Sequence, residues 1–167
     1  MSWFRVVFVV GLLVPLGACG FRPLYGGAEN IAINQQLAHI QITTIEDRIG
    51  QQVHNLLLDR LNPDGRPRKP LYTLNVRTVV NTEEIGLKFT EEATRARLTL
   101  RANYFLTEDG SGSIIAEGTV RSVNSYNISE SEFARVTSEA DAKNRAAREV
   151  SDEIKTRLSL YFSQQGT

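Results

Sequence analysis

Cys19 is the only cysteine in this 167-residue chain, and its thiol is the strongest nucleophile the sequence offers. Without a second cysteine it cannot close a disulfide within the chain, so its chemistry has to be modification from outside. It stands at the exit of the only long apolar run, Val6-Val7-Phe8-Val9-Val10-Gly11-Leu12-Leu13-Val14, which follows the basic start Ser2-Trp3-Phe4-Arg5. A charged start, an apolar block and then small residues (here Gly17 and Ala18) make the layout of a secretory leader. A membrane-spanning anchor needs about 20 apolar residues, and Pro15 ends this run too soon.

Leu16-Gly17-Ala18-Cys19 resembles a bacterial lipobox, with Gly17 a less usual choice at its position. In such a motif the thiol is alkylated by diacylglycerol, the leader is cut just before the cysteine, and the new amino group is acylated. The expectation is a leader over residues 1–18, a lipidated tether over residues 19–37 and a folded domain over residues 38–165. Several acyl chains would hold the protein firmly, because each buried CH₂ contributes about 0.8 kcal/mol. Gly20 rather than Asp follows the cysteine, which by resemblance to enterobacterial sorting favours the outer membrane.

Other reactive constellations are sparse. His39 and His54 have no second ligand at helical spacing, so no metal site is expected. No nucleophile elbow, P-loop or dinucleotide fingerprint occurs. Glu83-Glu84 and Glu91-Glu92 are adjacent carboxylates that read as solvated loop flanks, so neither an enzyme nor a cofactor is expected beyond the acyl groups on Cys19. What stands out is cationic: Arg77, Arg95, Arg97, Arg101 and Arg121 share the outward parity of neighbouring strands. Arginines two apart on a strand point the same way and can grip phosphates with paired N–H groups. The plainer alternative is a solvated face, because isolated surface charges contribute little.

The elements that must position these residues follow from periodicity. Residues 39–43 alternate as a short strand, and Thr44-Ile45-Glu46-Asp47 resembles a capping box. Ile49, Val53, Leu56, Leu57 and Leu61 form one stripe of an amphipathic helix, stopped by Asn62-Pro63-Asp64-Gly65. Tyr72 to Asn81 alternates as a second strand. The clearest strand spans residues 94–107, with Ala96, Leu98, Leu100, Ala102, Tyr104 and Leu106 on its inner side. Glu108-Asp109-Gly110-Ser111-Gly112 makes a hairpin turn into a strand over residues 114–128, where the alternation falters after Ser122 and suggests a bulge. A long helix starts near Ser131 with the stripe Val136, Ala140, Ala147, Val150, Ile154, Leu158 and Tyr161, and with i, i+4 pairs Asp141–Arg145, Arg148–Asp152 and Glu153–Arg157.

The order β-α-β-β-β-α predicts an α+β fold, a two-layer α/β sandwich in which two helices cover one face of a four-stranded mixed sheet. The 19 Lys and Arg balance 19 Asp and Glu, and loss of Arg5 with the leader tips the charge to slightly acidic. Bulk attraction to nucleic acid is therefore excluded, and any anion binding must be local.

Together these motifs resemble the alphaproteobacterial LptE family. The resemblance rests on Cys19-Gly20-Phe21-Arg22-Pro23-Leu24-Tyr25-Gly26, on Asp47-Arg48-Ile49-Gly50-Gln51-Gln52-Val53-His54-Asn55-Leu56-Leu57, on Ala93-Thr94-Arg95, and on Asp141-Ala142 through Arg145-Ala146-Ala147 to Ile154 and Leu158. His54 stands where that helix motif would carry Arg. The resemblance implies two helices on a four-stranded sheet, an outer-membrane lipoprotein on the periplasmic side, assembly with an LptD-type β-barrel as its plug, and lipopolysaccharide as ligand. Arg77, Arg95, Arg97 and Arg101 are then the expected contacts to lipopolysaccharide or barrel. The alternatives are a periplasmic accessory lipoprotein of an ABC-type lipid transporter, or a lipid-anchored hydrolase, against which the missing catalytic constellation argues.

Overall fold

The computed structural model describes residues 28–85 and 95–165. Cys19 and its flanking motif, Glu91-Glu92 and Ala93-Thr94 lie outside the described residues. Within them the order is α1 (Ala28–Ala38), β1 (Ile40–Ile42), α2 (Arg48–Leu61), β2 (Tyr72–Ile85), β3 (Arg95–Glu108), β4 (Ile114–Asn127) and α3 (Glu132–Gln165). This is the expected α+β order with one helix added in front. Part of the segment expected as tether is therefore helical, and Leu37 from it is buried in the core.

The sheet runs β1-β2-β3-β4, with β1 parallel to β2 and the other pairs antiparallel. The parallel pair is joined through α2, the kind of long crossover a parallel pair requires, and β3 and β4 by a short turn after Glu108. The inner row of β3 is buried throughout at Ala96, Leu98, Leu100, Ala102, Tyr104 and Leu106. From Leu98 to Leu106 it meets Val53, Leu57 and Leu61 of α2 and Ala146, Ala147, Val150, Ile154 and Leu158 of α3 in one core. Small alanines on α3 allow its close approach to the sheet. Gly118 on β4 makes room for the Tyr104 ring of the neighbouring strand, because a Cβ there would come within 2.7 Å of the Tyr104 hydroxyl.

Four local expectations change. The capping box does not form: α2 begins at Arg48, and Asp47 makes no side-chain cap bond and sits at φ 69, ψ 161. Packing decides this, because Ile45 is buried against Gly50, whose absent Cβ would lie 2.7 Å from Ile45 Cγ2. The bulge lies at the start of β4, where the register shifts between Leu106 and Thr107, while pairing beyond Ser122 continues unbroken to Asn127. Val136 and Ala140 are exposed rather than core. A helix of 14 residues spans about 21 Å and one of 34 about 51 Å, so the first turns of α3 outrun their neighbour. Finally, Asp152 pairs with Arg60 of α2 at 2.5 Å instead of Arg148, whereas Asp141–Arg145 and Glu153–Arg157 form as expected.

Candidate functional site: the open sheet face

Helices cover one face of the sheet, and the opposite face carries the odd-numbered side chains of β2, β3 and β4. The alternation of β3 places Arg95, Arg97 and Arg101 there, all exposed, with Arg77 from β2 and Arg121 from β4. The register sorts them into two groups. Arg101 lies directly opposite Arg121, and its other neighbour Val79 is two residues from Arg77. Arg97 lies opposite Glu83 and Ser125, and Arg95 opposite Ile85 and Asn127. Arg95 and Arg101 are six residues apart, about 20 Å along a strand, so the row is one cluster of three and one looser pair.

Side chains directly opposite across antiparallel strands have Cβ atoms about 5 Å apart, and like charges there destabilise the sheet. Arg101 and Arg121 take that arrangement, and none of the five arginines has an ion pair among the described residues. Of the six helix arginines, in contrast, four pair with carboxylates: Arg60, Arg135, Arg145 and Arg157. Beside the cluster, Thr119 Oγ1 donates to Asn103 Oδ1 at 2.7 Å, and Phe105 is half-buried. Such a surface can bind an anion with several oxygens through charge-assisted hydrogen bonds.

The histidines are structural or exposed. His54 Nδ1 donates to the Thr43 carbonyl at 3.0 Å and ties the end of β1 to α2, while the exposed His39 uses its backbone carbonyl to accept from Leu71 N–H at 3.1 Å. Among the described residues no group of three His, Cys, Asp or Glu could hold a metal ion. Glu83 and Glu84 are exposed at the end of β2, and Glu83 accepts from Asn81.

The structure adds polar features that periodicity did not single out. Ser122 and Asn124 point inward and are buried, which is why the apolar alternation of β4 falters while its backbone continues. Ser122 Oγ donates to Glu149 Oε2 at 2.5 Å, and Asn124 Nδ2 donates to Ser122 Oγ at 2.8 Å and to Glu149 Oε2 at 3.2 Å. Arg145 Nε completes the set with Asn124 Oδ1 at 3.2 Å. Asn62, read only as a helix stop, is buried and donates to the carbonyls of Ala38 and Ile40, clamping α1 and β1 to the end of α2.

The LptE family model, described as lipopolysaccharide-assembly, matches residues 35–158. The chain belongs to the LptE family. That span runs from the end of α1 through most of α3, so family membership covers both helices of the core and the whole arginine face. No curated protein matches the chain. Among solved structures, one from Caulobacter crescentus CB15, described as a lipoprotein, superposes with a TM-score of 0.66 at 20% identity, over 80% of this chain and 97% of that one. Rare lipoprotein B from Shewanella oneidensis gives 0.59 at 10% identity, over 77% and 98%. A minor lipoprotein from Acinetobacter baumannii gives 0.57 at 17%, over 72% and 91%. At these identities the neighbours establish the fold of this LptE-family protein. None of its described helices is long and apolar enough to cross a membrane.

Proposed function

We propose that this LptE-family protein is an outer-membrane lipoprotein, anchored on the periplasmic side through diacylglycerol and an N-acyl chain on Cys19. Residues 1–18 are its cleaved leader, and the chain ahead of the folded body is the tether. In this reading it assembles with an LptD-type β-barrel, plugs the lumen, and helps deliver lipopolysaccharide to the cell surface. The interior of an outer-membrane barrel is polar, and a compact, near-neutral α+β domain with one polar face open suits such a lumen. Arg77, Arg95, Arg97 and Arg101, joined by Arg121, are the contact surface for lipopolysaccharide phosphates or the barrel wall.

The observation that carries the reading is the unpaired Arg101–Arg121 juxtaposition beside Arg77 on an uncovered face. The test is the double variant Arg77→Glu, Arg101→Glu. Both positions are exposed, so the fold should persist. Each lost charge-assisted contact should weaken lipopolysaccharide binding by roughly 1.5–3 kcal/mol, with the wild-type affinity falling as salt rises. Unchanged lipopolysaccharide binding and unchanged barrel co-purification in a folded double variant would return these arginines to a solvated face. The anchor is tested apart from this: Cys19→Ala should abolish incorporation of a palmitate analogue.

A further inference from the structure

The two edges of the sheet are finished differently. β4 begins with a bulge, and Arg157 Nη1 donates to the edge carbonyl of Thr119 at 3.0 Å. Bulges and covering side chains are ordinary ways of blunting an edge. On the other side, β1 pairs with β2 only from Tyr72 to Leu74, while β2 continues for 11 further residues to Ile85. The last bond on that side is from Thr43 N–H to Leu74 carbonyl at 3.0 Å. Backbone groups alternate sides along a strand, so the residues in step with Leu74 present N–H and C=O at this edge: Val76, Thr78, Val80, Thr82 and Glu84. None of them has a main-chain partner there among the described residues. From Val76 to Val80 the edge carries no proline, lysine, glycine or bulge.

A cleft of about 830 Å³ lies against this edge. β2 forms one wall with Thr78, Val79 and Val80, α2 another with Ile49 and Gln52, and α3 the third with Val136 and Ala140. Gln52 Nε2 donates to Asn144 Oδ1 at 2.9 Å where the two helices draw together. Asp47, on the rim, holds φ 69 and ψ 161, a region that non-glycine residues occupy at a cost of about 1–3 kcal/mol and that clusters at functional sites. Rim charges of both signs come from Asp47 and Arg48 on one side and the Glu139–Lys143 pair, 2.6 Å apart, on the other.

We propose that this edge and cleft form a strand-addition site, which takes an extended segment of a partner polypeptide as a continuation of β1 alongside β2. The occupant is a peptide rather than an acyl chain for a chemical reason. One wall is a row of alternating main-chain donors and acceptors, which hydrocarbon leaves unsatisfied and an extended backbone matches. Alternate side chains of such a strand point one way into the cleft, where Ile49, Val80, Val136 and Ala140 favour small or branched apolar groups. The others lie on the open face. The site is separate from the arginine cluster and does not rest on it.

The probe is a synthetic acetylated peptide, Thr-Ile-Gln-Ile-Thr-Ile-Gln-Thr, which prolongs the alternation of β1, added to the full-length protein in detergent. Hydrogen exchange is followed at the amides of Val76, Thr78 and Val80. These should exchange freely in the isolated protein and slow by about tenfold when peptide, titrated up to about 1 mM, exceeds its dissociation constant about tenfold. Thr78→Pro removes one edge N–H, a change tolerated at an outward-facing edge, and should abolish the protection. Val136→Glu does the same from an exposed helix position and leaves β2 intact. Arg77→Glu, Arg101→Glu should leave the protection unchanged. The proposal is overturned by absence of protection in the wild type, by protection that survives both Thr78→Pro and Val136→Glu, or by amides already protected before peptide is added.

Discussion

The two ends of the sheet are built from the same strands yet do opposite things. At the end formed by Ile40–Ile42, Leu74 and Leu106, three helices converge, and Leu37, Leu61, Leu158 and Phe162 are buried against one another. Tyr72 packs on Phe162 with ring centroids 5.2 Å apart, and Asn62 ties α1, β1 and α2 together. At the other end β2 and β3 run on beyond α2, residues 81–85 are all exposed, and Phe133 and Val136 of α3 stand uncovered. One end closes a core and sustains the fold. The other presents backbone edge, apolar side chains and charge together, the combination an interface uses. The contrast is between exposed and inward positions as well as between ends, because Ala96 and Leu98 of β3 stay fully buried opposite Glu84 and Thr82. A lesion at the exposed positions of the open end should therefore spare the core.

The largest expected effect tests that separation. Leu158→Ala or Leu100→Ala removes a side chain with no exposure and should cost about 2–5 kcal/mol. Val136→Ala at the open end and Lys155→Ala on the outer side of α3 should each stay within about 0.5 kcal/mol. Chemical denaturation of the four variants decides it, and comparable losses at Val136 and Leu158 would break the contrast. Next comes Gly50→Ala, at the boundary between the two ends. Alanine improves helix propensity by up to about 1 kcal/mol, but the new Cβ meets buried Ile45, and overpacking costs about 1–3 kcal/mol. A net loss of stability is expected, and a gain on thermal unfolding would show that the Ile45 turn yields.

A smaller effect comes from Glu149→Ala, which removes the acceptor shared by Ser122 and Asn124. Asn124 keeps its bond to Ser122, so about 1 kcal/mol should be lost, and a larger loss would place part of the core's support at the open end. The smallest effect is alkaline. Burial and then nearby Glu108 push the Tyr72 phenol above its usual 10.0, and burial and then Glu139 do the same for Tyr126. A raised phenol binds its proton longer in the folded state than in the unfolded one. Its contribution is therefore complete below pH 10 and declines as pH rises from there through the folded value. Phenolate absorbance should show both residues titrating late, with flat stability below pH 10, and early titration of Tyr72 would show the closed end to be loosely packed.

What the chain alone determined was whatever depends on short-range periodicity. The inner row of β3, Ala96 to Leu106, and the stripe Val53, Leu57 and Leu61 of α2 are buried because a period of 2 or 3.6 sorts side chains by face wherever the element lies. The same parity places Arg77, Arg95, Arg97, Arg101 and Arg121 on one face. The contrast between a short first strand and a longer second one was also legible. Only the tertiary structure decided what depends on the relative lengths and register of elements distant in sequence. Register sets Arg101 against Arg121 and separates them from Arg95, and the shortness of α2 beside α3 leaves Val136 and Ala140 outside the core. Long-range partners satisfy Ser122 and Asn124 through Glu149, some 25 residues away, so two polar side chains occupy inward positions that an apolar pattern would leave empty. Burial demands a partner for each polar group without specifying where in the chain it comes from, and that choice belongs to the fold.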